Sequence, residues 1–334
     1  MDATISNEYL RTGVAALWLD DGSIVLRAQK TLFKVSRSLL SLRSGFFRDM
    51  LASPQTGGDA QVLDGCIMVD LPEKADDVEA LLRAVFDSDY FMPPPAKIDL
   101  MPLLSILRLA RKYDIQYLYK RALSHLDHVM FYVSHSAFLT APRRDTIMIP
   151  PSMVTKHLFV QPLSTLSNSP AALLITLEAI NAVQAKWLLP IAHYWLCTMP
   201  LKHLLTIPEE TLSGTQLRWI LQNRKALATK RARILENINQ YGWDAECGQA
   251  GQCSVARMNV LSHYIRRNAD GDDVRMLNGV DFEQRGLCTL CLQSVDKLCT
   301  DALEQAWSAL PAMFDVSDWG DLTEERSHVL DLLD

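Results

Sequence analysis

The hydrophobic pattern changes its period after Val35, and this change limits the folds open to the chain. Before it, β-prone runs alternate with turns, and in TLFKV (31–35) the side chains of Phe33 and Val35 point to one side. After it, RSLLSLRSGFFRDML (37–51) places Leu39, Leu42 and Phe46 along one stripe at helical spacing. A chain that opens with strands and continues with amphipathic helices predicts an α+β fold.

Turn residues and periodicity predict the further elements of this half. The Asp21-Gly22 pair predicts a hairpin between strands Ala16–Leu19 and Ser23–Ala28, because both residue types tolerate the positive φ angles of a tight turn. A second turn is predicted at Gln29-Lys30, before the strand TLFKV. A further strand is predicted at CIMVDL (66–71). Helices are predicted at DDVEALLRAVFDS (76–88), at LLSILRLARKY (103–113) and from Ile115 to about Val129.

Five short segments carry a resemblance to a known family. They are DGSIVL (21–26), FKVS (33–36), LL (39–40), RSGFFRDM (43–50) and LRLARKYD (107–114). Together they resemble the BTB/POZ domains, and more narrowly the BTB-containing proteins abundant in mushroom-forming (basidiomycete) fungi. The resemblance covers roughly residues 14–130. It implies a BTB/POZ-type sheet flanked by helices that binds another protein or a second copy of itself.

The sequence departs from the family pattern at two places. The histidine usual at the start of the first helix is Ser36 here, which removes a polar residue typical of the dimer-side pocket. BTB proteins that recruit a cullin scaffold often carry a hydrophobic-x-Glu element after the phenylalanine helix, and LASPQTGGDAQ (51–61) contains no Glu. The first departure weakens the expectation of dimerisation. The second disfavours a substrate adaptor of a cullin-based ubiquitin ligase.

The second half of the chain has a different pattern. Residues 131–170 show neither a helical nor a strand period, which predicts a linker or insertion that is poorly ordered. From Ala171 onward the period is helical, with one or two buried helices bent at Pro190. These features predict a BTB/POZ domain at 14–130, an all-α C-terminal domain at 171–315 and a C-terminal tail at 316–334. Further helices of that domain are predicted at Ser213–Gln240, Ser254–Arg267 and Leu287–Leu310.

Composition and charge exclude several classes of protein. The chain has 39 acidic against 33 basic residues, a net charge of −6, which argues against a surface built overall to bind nucleic acid. The most apolar stretch, Ala171–Leu201, is interrupted by Glu178 and Lys186, so it predicts buried helix and no membrane span. Seven cysteines without a signal peptide predict an intracellular protein, cytoplasmic or nuclear.

The cysteine spacing is the sharpest chemical signal. Two pairs, Cys247-x5-Cys253 and Cys288-x2-Cys291, can supply four thiolates to a tetrahedral zinc ion. The first pair is wider than the usual spacing, and Cys299 competes as a ligand, so four reduced structural cysteines are the favoured alternative.

Other clusters have ordinary structural explanations. Basic residues between Arg218 and Arg233 predict the solvated face of a helix, and Asp270, Asp272 and Asp273 predict a polar turn without the ligand spacing of a calcium loop. His193 is predicted to be a hydrogen-bonded core residue, and His125 and His128 are predicted to lie at the surface. No nucleophile elbow or glycine-rich phosphate loop occurs in the sequence, which predicts a protein without enzymatic activity.

The sequence as a whole therefore predicts a protein-protein interaction module. We expect its contacts to centre on a few apolar anchors in the BTB-like half. The candidate anchors are Trp18, Leu39, Phe46 and Phe47. The alternatives are the cullin adaptor and a zinc-containing protein that binds nucleic acid.

Overall fold

The computed structural model describes residues 10–11, 17–52, 61–141, 145–153, 165–267, 272–275 and 286–331. The strands are β1 (Leu10–Arg11), β2 (Ile24–Ala28), β3 (Thr31–Val35), β4 (Val62–Leu63), β5 (Cys66–Leu71), β6 (Ile98–Asp99) and β7 (Ile147–Met148). Helices of the first half are α1 (Arg37–Arg43), α2 (Gly45–Ala52), α3 (Ala75–Phe86), α4 (Leu100–Lys112) and α5 (Gln116–Met130). The later helices are α6 (His135–Thr140), α7 (Pro170–Val183), α8 (Leu189–Thr198), α9 (Leu201–Leu204), α10 (Gly214–Tyr241), α11 (Ala250–Arg267), α12 (Thr289–Ser308), α13 (Leu310–Met313) and α14 (Trp319–Leu330).

The first half is built on a five-stranded sheet with the order β1-β3-β2-β5-β4. Strands β2 and β3 form an antiparallel hairpin in which Leu26 lies opposite Phe33, and β5 runs parallel to β2 on its other side. Strand residues alternate between two faces, so Leu26 and Phe33 join the main core while Val25 faces the opposite side. Helices α3, α4 and α5 pack against one another, and their buried residues belong to that same main core. The prediction of a small sheet flanked by helices is confirmed.

The hairpin predicted at Asp21-Gly22 is wrong. The second predicted turn, at Gln29 and Lys30, is confirmed, because it joins strands β2 and β3 into a hairpin. The described residues before Gly22 contact β3 instead of β2, through a parallel bridge from Trp18 to Lys34 and a hydrogen bond from the Leu19 N–H to the Lys34 carbonyl (2.8 Å). The Gly22 N–H donates to the Leu19 carbonyl (3.0 Å), so Asp21-Gly22 forms a local turn.

The second half is mainly helical, as predicted. The apolar stretch forms two buried helices, α7 and α8, but the break precedes Pro190. Helix α7 ends at Gln184, which has a left-handed φ of 61°. Pro190 lies in the first turn of α8, where its missing N–H breaks no helical hydrogen bond. Among the described residues, no helix is long and apolar enough to cross a membrane.

The described parts of the predicted linker, residues 131–170, pack against the rest of the molecule. Ile147 is fully buried in β7 and pairs with Ile98 of β6. The indole N–H of Trp307 donates to the Tyr132 carbonyl (3.0 Å). Such segments show no period of their own because their apolar residues fit a surface made by other elements. Residues 142–144 and 154–164 lie outside the described residues.

The predicted tail, residues 316–334, contains helix α14, which returns to the first half. The Arg326 guanidinium donates to both carboxylate oxygens of Asp127 in α5, at 2.7 and 2.9 Å. The Trp187 indole N–H donates to the same carboxylate (3.2 Å). Asp127 therefore connects α5 with two later segments. The boundaries of the four predicted regions remain predictions.

Candidate functional site

An apolar stripe on α1 and α2 is exposed on the surface of the first half. Leu42 in α1 is 76% exposed and Phe46 in α2 is 43% exposed, and Leu39 in α1 is partly buried. We call these three residues the α1–α2 stripe. Exposed apolar side chains on neighbouring helices are candidates for contact with a partner.

Ser36 and Ser44 explain why this segment forms two helices. The Ser36 hydroxyl accepts a hydrogen bond from the Leu39 N–H (3.3 Å) and so caps α1. The buried Ser44 hydroxyl accepts from the Phe47 N–H (3.0 Å) and donates to the Tyr113 carbonyl (2.5 Å). Ser44 therefore ties the start of α2 to the end of α4, which fixes the direction of α2.

The two predicted aromatic anchors, Phe46 and Phe47, lie in different environments. Phe47 is 1% exposed, and its ring stacks on Tyr113 with a centroid distance of 5.0 Å. Burial and a hydrogen bond to Glu73 raise the pKa of Tyr113, which stays neutral as the donor. Phe46 touches the same rings but keeps an exposed edge. Phe47 is thus a core residue, whereas Phe46 is accessible to a partner.

Trp18 lies on the other face of the sheet from the stripe. It packs with Val25, Leu32 and Cys66, which form a separate small cluster outside the main core. The structure therefore brings together Phe46 and Phe47, places Leu39 on the preceding helix α1, and places Trp18 elsewhere.

The second candidate site lies in the helical half. There the side chains of four cysteines converge, and their Sγ atoms all lie within 4.8 Å of one another. This four-cysteine cluster consists of Cys247, Cys253, Cys288 and Cys291. The Cys247 Sγ atom is 3.7 Å from that of Cys253 and 3.6 Å from that of Cys288. All four are free thiols, and the cluster can hold a metal ion.

Local structure brings the cysteines together from two turns of the chain. Cys247 lies in the turn after α10, and Cys253 lies in the first turn of α11. Cys288 is the N-terminal cap residue of α12, and Cys291 lies in the first turn of that helix. A hydrogen bond from the Cys291 backbone N–H lowers the pKa of the Cys288 thiol to about 7.

Gly242 allows the turn before Cys247 to approach α12. A Cβ atom at this position would lie 2.9 Å from the Val295 Cγ2 atom and closer still to the Ile238 carbonyl oxygen. The Arg257 guanidinium donates to the Gly242 carbonyl (2.6 Å) from α11. A side chain at residue 242 would therefore push the first cysteine pair away from the second.

Cys299 is not a member of the cluster. It lies two helical turns beyond Cys291 in α12, and burial raises the pKa of its thiol to about 12. Of the remaining cysteines, Cys66 is in the sheet and Cys197 is buried in α8. The competing ligand considered from the sequence is therefore out of reach.

The basic residues of α10 do not all face solvent. The buried Arg224 donates to the Cys197 carbonyl (2.9 Å) and to the Asp272 carboxylate (2.8 Å). Arg231 donates to the Asp273 carbonyl. The sequence assigned both arginines to a solvated face and both aspartates to a polar turn. In the structure each group helps to hold residues 272–275 against α10. Asp270 lies outside the described residues.

His193 is partly buried in an aromatic setting, and the hydrogen bond that the sequence predicted for it is absent at its Nδ1 atom among the described residues. Its ring lies 4.7 Å from that of Trp219 and 5.4 Å from that of Phe314, along a cleft of about 960 Å³. The Nδ1 atom is buried and has no hydrogen-bond partner among the described residues. Burial lowers the pKa of His193 to about 4, so the ring is neutral near pH 7.

Comparison with known proteins identifies one family. The model of the BTB/POZ domain matches residues 21–129, which contain strands β2 to β6 and helices α1 to α4 together with nearly all of α5. No curated protein and no solved structure matches the chain. The resemblance inferred from the sequence is thus confirmed for this domain, and the narrower likeness to fungal members stays a prediction.

Proposed function

We propose that the BTB/POZ domain at residues 21–129 makes this chain a non-enzymatic interaction protein that associates with a second copy of itself through the α1–α2 stripe. The observation that carries the proposal is the exposure of Leu42 (76%) in α1 and Phe46 (43%) in α2, in a domain whose family binds proteins. Burying such side chains against a partner supplies the main favourable free energy of association.

The short edge strands of the sheet favour the α1–α2 stripe as the surface that contacts the second copy. The two edge strands, β1 and β4, have only two residues each. Edges this short offer few free N–H and C=O groups to an added strand. A second copy gains more from the apolar side chains of α1 and α2.

Light scattering of the full chain at several concentrations tests the proposal. We expect a dimer, and we expect Leu42→Lys to shift it to monomer because a charge would have to be buried at the interface. Leu205→Lys is the matched control, since Leu205 is 65% exposed in the helical half. A monomeric wild-type protein, or a Leu42→Lys variant that remains dimeric, would refute the proposal.

The cullin adaptor is a second candidate that no observation favours. The region where the hydrophobic-x-Glu element would lie has no Glu, and its residues 53–60 lie outside the described residues. We expect no cullin to co-purify with the full chain. A stable cullin complex that survives Leu42→Lys would replace self-association as the function.

The alternative of a zinc-containing protein that binds nucleic acid separates into two parts. Nucleic-acid binding loses support because Arg224 and Arg231 are engaged within the fold. The four-cysteine cluster can hold zinc in a purely structural role. We therefore place the protein inside the cell, where thiols remain reduced, as an interaction protein with protein partners.

A further inference from the structure

We propose that the four-cysteine cluster binds one Zn²⁺ ion as a structural centre that joins the α10–α11 turn to the start of α12. A tetrahedral zinc ion with Zn–S bonds of about 2.3 Å places its sulfur atoms about 3.8 Å apart. The observed Sγ–Sγ distances of 3.6 and 3.7 Å lie close to this value. A disulfide requires about 2.05 Å, so the thiols are arranged around a common point rather than joined in pairs.

The donor set is closed and consists only of sulfur. Four protein thiolates fill every position of a tetrahedral ion and leave none for water or substrate, which is the pattern of a structural site. Thiolates favour zinc over calcium or magnesium, which prefer oxygen ligands. The carboxylate of Asp244, three residues before Cys247, accepts hydrogen bonds from the Glu246 N–H (2.8 Å) and the Ser294 hydroxyl (3.4 Å).

Backbone N–H groups support negative charge on the sulfurs. The Cys288 N–H donates to the Cys253 Sγ atom (3.3 Å). The backbone of Asp244 hydrogen-bonds the Cys291 thiol. Four thiolates leave two negative charges that Zn²⁺ does not neutralise, and N–H···S hydrogen bonds offset part of them.

Helix α11 has limited apolar packing, so a metal ion would add to its attachment. The residues of α11 that lie within the fold are few, and its outward face leaves Val255 62% and Ile265 58% exposed. A metal bond to Cys253 would fix the start of this helix, and the bond to Cys291 would fix α12 at the same point. The ion supplies a connection that apolar burial does not supply there.

Elemental analysis of the full chain, purified under reducing conditions, is the first test. We expect about one zinc per chain and no stoichiometric iron. We expect the double variant Cys288→Ser, Cys291→Ser to lose at least nine-tenths of the zinc, and the matched control Cys299→Ser to keep it. A metal-free wild-type protein that stays metal-free after Zn²⁺ is added would overturn the proposal, as would stoichiometric iron.

A second measurement needs no variant and so does not depend on the folding of one. Co²⁺ added to the metal-free full chain should give the visible absorption of a tetrahedral four-thiolate ion, saturating at one equivalent, and Zn²⁺ should remove it. A spectrum typical of octahedral Co²⁺, or no spectrum, would exclude the four-thiolate site. Dimer formation is measured separately, so zinc can fail while self-association holds.

Discussion

Helix α4 of the BTB/POZ domain and helix α10 of the second half show two ways of holding a helix in place. In α4, eight of 13 residues are buried, seven of them apolar, so burial of the whole helix secures it. In α10, six of 28 residues are buried, and two of these are Asn223 and Arg224. The long helix therefore depends on a few individual contacts. We therefore expect a substitution in the first half to destabilise the whole domain. We expect a substitution in the second half to destabilise only the helices that it contacts.

The largest effect should come from the cysteines. In the double variant Cys288→Ser, Cys291→Ser, we expect amide exchange in α11 and the first turns of α12 to rise by about 100-fold or more, because structural zinc contributes about 10 kcal/mol or more in small modules. Hydrogen exchange with mass spectrometry measures this by segment. Loss of protection in α3 and α4 as well would break the distinction between the two halves.

Next in size is the buried ion pair of α10. Arg224→Ala should destabilise the protein by about 3 kcal/mol, because the Cys197 carbonyl loses a donor and the Asp272 carboxylate, which keeps its hydrogen bond from the Leu201 N–H (2.8 Å), loses its cation. Lys225→Ala, at an exposed neighbouring position, should change the free energy of unfolding by about 0.5 kcal/mol or less. Urea unfolding measures both variants. Equal effects would mean that Arg224 contributes no more than a surface charge.

A truncation within α4 tests whether burial holds the helix of the first half in place. Leu107 is fully buried, and Leu107→Ala should cost about 2–5 kcal/mol through lost transfer free energy and a cavity. Met101→Ala on the same helix, where the side chain is 44% exposed, should cost much less. Urea unfolding again gives the values. If Leu107→Ala cost no more than Met101→Ala, burial would not be what stabilises α4.

The smallest expected effect is a pH dependence from His193. Its pKa of about 4 in the fold lies below the ordinary 6.5, so the neutral ring stabilises the fold fully above pH 6.5. As the pH falls to about 4, the unfolded chain binds the proton first and about 3 kcal/mol is lost. His193→Gln should flatten that part of the stability profile, and His263→Gln, at an exposed position, should not. Unchanged pH slopes in both variants would contradict this assignment.

Much of the first half follows from its sequence, and the reason is local. The period of TLFKV and of RSLLSLRSGFFRDML reflects burial on one face, which each segment shows by itself. The cysteine spacing likewise predicted the four-cysteine cluster that the fold brings together. In contrast, the position of α14 depends on Arg326 meeting Asp127, and no pattern in either segment signals the other.

The burial of Arg224 and the interior position of His125 also escaped the sequence. Arginines at helical spacing look the same whether they meet solvent or the carbonyls of another helix. His125 lies in a polar stretch that suggests a surface, yet its Nε2 atom makes a 2.8 Å hydrogen bond with the Met92 carbonyl. Both depend on partners distant in sequence, and only the assembled fold supplies them.

The Asp127 carboxylate imposes an order in time on the assembly of the protein. Trp187 follows it by 60 residues and Arg326 by 199 residues in the chain. At about 5–20 residues per second, the ribosome delivers Arg326 roughly 10–40 seconds after Asp127. During that interval the Asp127 carboxylate lacks the Arg326 guanidinium, and the surface of α5 that α14 contacts remains exposed. The BTB/POZ domain, made first, is therefore completed only after the helical half has emerged.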